Sequence, residues 1–369
     1  MKIVKFIVRM VEMPMKHAFS TSFGTVKNKR FIIVEAYDEA GNCGYGECDA
    51  FEQPWYTEET VETCWHMIHD FFIPRLLNLE LKHPSEVREV LDIFRRNRMA
   101  KAGIETAIWD VYAKRLGKPL YEVIGGRRNK VPVGVSIGLQ SSTNKLYEVI
   151  DEALANGAQR IKVKIKPGQD IELVTTIRQR YPQLPLMVDA NSAYTLQDMN
   201  LLQQLDQFDL LMIEQPLGAN DIYQHAQLQK QLKTPICLDE SICSLEDAMT
   251  AIELKACRIF NIKIARVGGI QEAKLIHNKA AAAGMKMWGG GMLEAGIGRA
   301  QSVAIATLEY FTLPADTSGS SHYFEQDIIH PEVVVENGFI TLPDKAGIGY
   351  QVDEKILDIY TLKKTTNAI

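Results

Sequence analysis

The chain has 369 residues, of which 46% are apolar and 24% charged, with a formal net charge of −5. That length accommodates one large and one smaller domain, each with its own core. The mildly acidic balance, with no basic tail or block of like charge, excludes a nucleic-acid footprint, and no apolar run approaches the length of a membrane span. The opening MKIVKFIVRMVEMPM is interrupted at strand-like spacing by Lys5, Arg9 and Glu12 and has no small-residue cleavage site, so a cytoplasmic protein is expected. Cys43, Cys48, Cys64, Cys237, Cys243 and Cys257 form no CxxC pair, which suits reduced thiols.

In chain order, FIIVEAYDEAGNCGYGE reads as a hairpin turning at Asp38–Asn42, part of a β-meander up to about residue 50. Three helical segments follow: YTEETVETCWHMIHDFFIPRLL, HPSEVREVLDIFRRN and MAKAGIETAIWDVYAKRLG, the last closed by Gly117. Residues 1–125 thus form an α+β capping domain. From 126 to 322, short apolar runs alternate with amphipathic helices. The runs predict strands at 133–138, 160–165, 184–190, 210–216, 235–240, 258–263, 286–291 and 311–316. Strands and helices in that alternation make an α/β chain with a (β/α)8 TIM-type barrel. Residues 323–369 form a β-rich tail that is expected to return to the capping domain.

The second barrel strand, RIKVKIKPG, alternates lysines with branched apolar residues. Ile161, Val163 and Ile165 then face the surrounding helices, Lys162 and Lys164 face the barrel interior, and Lys166 falls in the solvated loop beyond. Lys164, Asp189, Glu214, Asp239 and Lys263 close five successive strands at intervals of 25, 25, 25 and 24 residues. Barrel enzymes build their sites at that end of the strands. One acidic residue after a strand is most often a helix cap, but three in phase would repel one another unless a cation sat between them. An all-oxygen set favours Mg²⁺ or Mn²⁺, with Asn191 and Glu240 supporting the ligands.

Crowded ammonium groups beside a cation are expected to fall in pKa toward the range of a general base. A carboxylate-bearing carbon acid is the natural substrate: the metal steadies an enediolate while Lys164 or Lys263 takes the adjacent proton. The histidines miss the strand ends, and Gly289-Gly290-Gly291 lacks a phosphate-loop pattern, so it gives backbone room for a ligand or a turn. Phe19, Phe23 and Tyr56 are either core residues or caps of a substrate pocket. A Schiff-base barrel has no use for three carboxylates in phase, and a non-catalytic scaffold would be expected to have lost at least one of these five groups.

The motifs MAKAGIETAIWDVYAKRLGKPL, RIKVKIKPG, LMVDANSAY, MIEQPL, ICLDES, NIKIARVGG and GGGMLEAGIGRA resemble the enolase superfamily over essentially the whole chain. Two lysines on the second strand and one on the sixth resemble its muconate-lactonizing subgroup, and within that the branch of o-succinylbenzoate synthases and N-succinylamino acid (N-acylamino acid) racemases. The resemblance implies that Asp189, Glu214 and Asp239 bind Mg²⁺, that Lys164 and Lys263 are the acid/base pair, and that Lys162 stabilises the enolate. Arg266 matches an arginine of racemase-capable members, and the stretch Phe19 to Phe23 resembles a mobile lid. Tyr56, Ser136, Gly291 and Met292 are further candidates for substrate contact. NIKIARVGG in place of NIKPGRVGG, and GGG in place of CGG, bear on substrate fit. The activity implied is dehydration of 2-succinyl-6-hydroxy-2,4-cyclohexadiene-1-carboxylate to o-succinylbenzoate in menaquinone synthesis. Racemisation of N-succinylamino acids is the alternative, with a homo-oligomeric assembly and a small succinyl-bearing carboxylate as substrate.

Overall fold

The computed structural model describes residues 1–20, 25–138 and 140–369. The strands β1 (Ile3–Ser20), β2 (Thr25–Asp38) and β3 (Cys43–Cys48) form an antiparallel meander, as their alternation predicts. Asp38 makes the turn: its carboxylate accepts from the N–H groups of Ala40 and Asn42 at 3.0 and 2.8 Å. Phe6, Val8, Ile32 and Val34 bury one face of this sheet under helices. The helix Arg98–Arg115 lies directly on β3. Such close approach needs glycine, since a Cβ on Gly46 would stand 2.1 Å from the Gly103 carbonyl oxygen of that helix. Gly117, at φ +63°, closes it, with the Lys118 N–H reaching back to the Ala113 carbonyl.

The single helix expected over 56–77 is broken. An α-helical turn at Val61–His66 passes into a π-helical run, Met67–Phe72, and a last turn, Ile73–Leu76. Pro74 has no N–H to offer four residues back, and the wider π turn accommodates that missing bond.

After β4 (Lys130–Pro132) comes the parallel sheet: β5 (Val135–Ile137), β6 (Ile161–Lys164), β7 (Leu186–Asp189), β8 (Ile213–Glu214), β9 (Ile236–Leu238), β10 (Ile259–Ile262) and β11 (Lys286–Gly289). Its strands follow chain order from β5 to β11, the arrangement of a wound barrel. The eighth strand predicted at 311–316 is a correction: among the described residues it forms only isolated parallel bridges, Phe311 to Met287 and Ala315 to Val133. Pro314 removes a ladder donor from its middle. The segment still closes the ring, because Leu313 and Asp316 donate to Met287 and Gly289, while Ala315 donates to Pro132 and accepts from Gly134.

Ile161, Val163 and Ile165 pack outward against Val174 and Ile177 of the next helix, whereas Lys162 points inward and is buried. Met187, Met212, Cys237, Ile259 and Trp288 fill the barrel interior, so the space for chemistry lies above them, at the strand ends. In the tail, β12 (Ile329–His330) pairs with β14 (Gln351–Val352), and β13 (Phe339–Thr341) with β4. The last strand, β15 (Thr361–Ala368), runs antiparallel to β1 and extends the first sheet to the order β15-β1-β2-β3. Among the described residues no helix is long and apolar enough to cross a membrane.

Candidate active site

Parallel pairing puts Lys164 beside Asp189 and Asp189 beside Glu214, and the pairing of Glu214 with Cys237 sets Asp239 two residues further on. The three carboxylates are buried on adjacent strands. Glu214, on the middle strand, is approached from both sides: Lys162 of β6 at 3.2 Å and the Asn261 amide of β10 at 2.7 Å. Next to it, Asp189 accepts from Lys164 at 2.6 Å and Asp239 from Lys263 at 2.9 Å. The site therefore has a rough mirror plane through β8, with a lysine at each flank.

The flanks are finished differently. Lys164 also donates to the Asn191 side-chain oxygen at 2.5 Å, and the Asn191 amide donates to Glu240 at 3.1 Å. Lys263 instead donates to the Tyr56 hydroxyl at 2.9 Å, and Arg266 reaches the same hydroxyl at 3.0 Å while pairing closely with Asp239. Tyr56 brings the capping residues into the site, which its sequence position alone does not reveal.

Burial by itself would lower the pKa of Lys162 and Lys263, as crowding led us to expect. Against that, Asp316, Glu214 and Asp189 hold Lys162 above the ordinary lysine range, and Asp239 does the same for Lys263. Burial and the neighbouring Asp189 charge push Glu214 up to about 7. Burial also opposes ionisation of Asp239, but Lys263 and Arg266 hold it down to about 2. Glu240, half-buried beside Asp239, is pushed up to about 8 by desolvation and by the Asp239 charge, and its Oε2 has no hydrogen-bond partner.

Among the described residues, no three acidic, histidine or cysteine side chains converge on one point as they stand, since each strand-end carboxylate is turned toward a cation of the chain. The donor set nevertheless fits a hard divalent ion: three buried carboxylates on neighbouring strands and an orphaned carboxyl oxygen at Glu240. Asp189, Glu214 and Asp239 are the residues that would hold it.

The remaining candidates are spread around this centre. Ser136 is exposed and stands opposite Lys162 in register, and Lys166 is exposed in the loop beyond β6. The glycine run lets the chain pack closely on itself. A Cβ on Gly290 would stand 2.1 Å from Asn261 Oδ1 and 2.7 Å from Lys263 Cε, and one on Gly291 would stand 2.4 Å from the Asp316 carbonyl oxygen. Met292 is buried among the apolar residues of the first module. Phe19 is half-buried on β1 opposite Val26, and Phe23 lies outside the described residues.

Four side chains escaped the sequence reading. Asn261 stands two residues before Lys263, as Lys162 stands before Lys164, so the shared alternation was an available signal. Asp316 ends the irregular closing segment and accepts from Lys162 at 2.6 Å and Arg160 at 3.3 Å. The Arg160 guanidinium and Lys162 ammonium both lie over Trp288, at 4.9 and 5.3 Å from its ring centre. Gln215, at φ +38°, accepts from the Asp239 N–H at 3.0 Å and so ties β8 to the end of β9. Asn191 and Ser192 share that left-handed backbone, a strained conformation that clusters at functional sites.

Residues 3–125 match the model of the mandelate racemase / muconate lactonizing enzyme N-terminal domain, and residues 145–356 that of the enolase C-terminal domain-like family. A protein of Geobacillus kaustophilus named o-succinylbenzoate synthase is 55% identical over 96% of this chain and 95% of its own length. One of Thermus thermophilus named N-succinylamino acid racemase is 43% identical over 98% of each chain. A crystal structure of an enolase-superfamily member from Listeria innocua superposes with a TM-score of 0.97 at 42% identity, covering 100% of this chain and 99% of that one. With both halves matched and the strand-end constellation of the barrel in place, the chain belongs to the enolase superfamily, in its mandelate racemase / muconate lactonizing enzyme family.

Proposed function

We propose that the protein is a Mg²⁺-dependent o-succinylbenzoate synthase that dehydrates 2-succinyl-6-hydroxy-2,4-cyclohexadiene-1-carboxylate through an enediolate. The observation that carries this reading is the mirror arrangement about β8, in which Lys164 and Lys263 flank three buried carboxylates. In this reading the barrel spans 126–322, under a cap formed by residues 1–125 and the returning tail. The bound Mg²⁺ would supply Lewis-acid stabilisation of the charge that develops on the substrate carboxylate.

Within this scheme Lys164 removes the α-proton and then assists departure of hydroxide from the same face. Lys263 remains an ammonium, held so by Asp239, and stabilises the intermediate. Lys162 adds a buried positive charge near the developing enolate oxygen, a type of contribution that usually dominates such catalysis. The charge balance suits a dicarboxylate: with Lys164 neutral as the base and Glu240, pushed up to about 8, protonated, Lys162, Lys263, Arg160 and Arg266 stand against Asp189, Glu214, Asp239 and Asp316. A divalent cation adds two positive charges that a substrate with two carboxylates offsets.

Racemisation of N-succinylamino acids is the second reading, favoured by the placement of a lysine at each flank and by Arg266 beside Lys263. A racemase needs a base on each face. Purified protein with Mg²⁺ is expected to form o-succinylbenzoate and to exchange the α-proton of both enantiomers of an N-succinylamino acid in deuterium oxide. Absence of the dehydration with exchange retained would leave the racemase; absence of both would overturn the enediolate reading.

A further inference from the structure

Lys29 is 1% exposed, and its ammonium ends among main-chain oxygens, donating to the carbonyls of Asp49 at 3.0 Å and Ala50 at 2.9 Å. It also lies over the Phe51 ring, 4.6 Å from the centre, and Phe51 stacks on Trp55. Burial pushes the Lys29 pKa down, and the negative charge of Asp49, Glu47 and Glu294 opposes this only in part. These contacts fasten the start of the segment that runs from β3 to the helical turn at Val61. The other end is fastened separately: Val61 N–H donates to the Phe51 carbonyl, and the Glu59 carboxylate accepts from the N–H groups of Met99 and Ala100. Between the two anchors is Tyr56, whose hydroxyl touches Lys263 and Arg266 on the β10 flank.

We propose that Lys29 is a positioning residue: by holding the Asp49 and Ala50 carbonyls it sets Tyr56 against Lys263, and it therefore governs proton transfer on the Lys263 face alone. The inference rests on the reading above that Lys263 serves one enantiomer and Lys164 the other. Lys164 donates its hydrogen bonds to Asp189 at the end of β7 and to Asn191 just beyond it, neither of which Lys29 touches. A general loosening of the fold would slow both faces. Displacement of Tyr56 slows one.

The test uses full-length protein with Mg²⁺ and the two enantiomers of an N-succinylamino acid in deuterium oxide, with α-proton loss followed separately for each. Lys29→Met leaves two buried carbonyls without a donor. It is expected to slow exchange of the enantiomer that Lys263→Ala abolishes by about tenfold, 1.4 kcal/mol per decade, and the other enantiomer less than twofold. In a cycle with Tyr56→Phe, the double variant is expected to lose no more than the slower single variant. Lys29→Gln, which keeps a buried N–H donor, is expected to show a smaller loss of the same one-sided kind, and it is read alone if the methionine variant does not fold. Equal slowing of both enantiomers, no slowing, or additive losses with Tyr56→Phe would overturn the proposal. Parent protein that exchanges neither enantiomer would instead overturn the enediolate reading itself, and the proposal with it.

Discussion

The two flanks of the barrel mouth start from the same pattern and end in different surroundings. On β6 the alternation places Lys162 and Lys164, and on β10 it places Asn261 and Lys263, each pair reaching Glu214 and an outer aspartate. The Lys164 side chain is 34% exposed and bonded to barrel residues, whereas that of Lys263 is 11% exposed, under Tyr56 and beside Arg266. The β6 flank is thus a barrel device open to solvent, and the β10 flank is completed by the cap. Changes in the cap should be felt on one face of the substrate, and changes at the central carboxylates on both.

The largest effect erases the comparison. Chelation of a divalent ion should abolish proton exchange on both faces and lower the thermal midpoint, because an ion that binds only the folded chain stabilises it; added Mg²⁺ should restore both. Full activity after exhaustive chelation would remove the metal from the scheme. Next, Lys164→Ala and Lys263→Ala should each lose exchange of one enantiomer, by roughly 10²- to 10⁴-fold, keep the other, and fail to racemise. Either variant racemising near the parent rate would refute bases on opposite faces. Lys162→Ala should then slow both faces alike, on the order of 10²- to 10³-fold, as loss of one buried stabilising group typically does. A one-sided loss there would mean that Lys162 belongs to a single flank.

The strand-end charges were legible because a parallel barrel repeats: the step of 24 or 25 residues from Lys164 to Lys263 reports one strand, one helix and two short loops. The apolar partners Ile161, Val163 and Ile165 followed from the same alternation. Asp316 closes the segment predicted as a strand at 311–316 but was not taken as a site residue, since its contact with Lys162 crosses from the last strand segment to the second, which no local pattern encodes. Tyr56 was named as core or as a cap of a substrate pocket and as a candidate for substrate contact, but its contact with Lys263 spans 207 residues, a separation that no local pattern encodes.

Asp316 supplies the smallest and most discriminating change. It accepts from Lys162 at 2.6 Å, shorter than the 3.2 and 3.4 Å from that ammonium to Glu214 and Asp189. Once a divalent ion draws Glu214 and Asp189 to itself, Asp316 is the carboxylate left to orient Lys162. Burial would raise its pKa, but Lys162 and Arg160 hold it well below the usual carboxylate range, so it is ionised throughout the working pH. Asp316→Asn keeps the shape and removes the charge. Arg160 retains its bond to the Ala315 carbonyl and its place over Trp288, so the fold should tolerate the change. A hydrogen bond to a charged group is worth ~1.5–3 kcal/mol, and the amide retains part of it, so turnover should fall about tenfold. Because Lys162 faces Glu214 on the mirror plane, the fall should be the same for both enantiomers. Steady-state exchange of each enantiomer by the variant checks this: a loss confined to either face would place Asp316, and Lys162 with it, on one flank of the barrel mouth rather than at its centre.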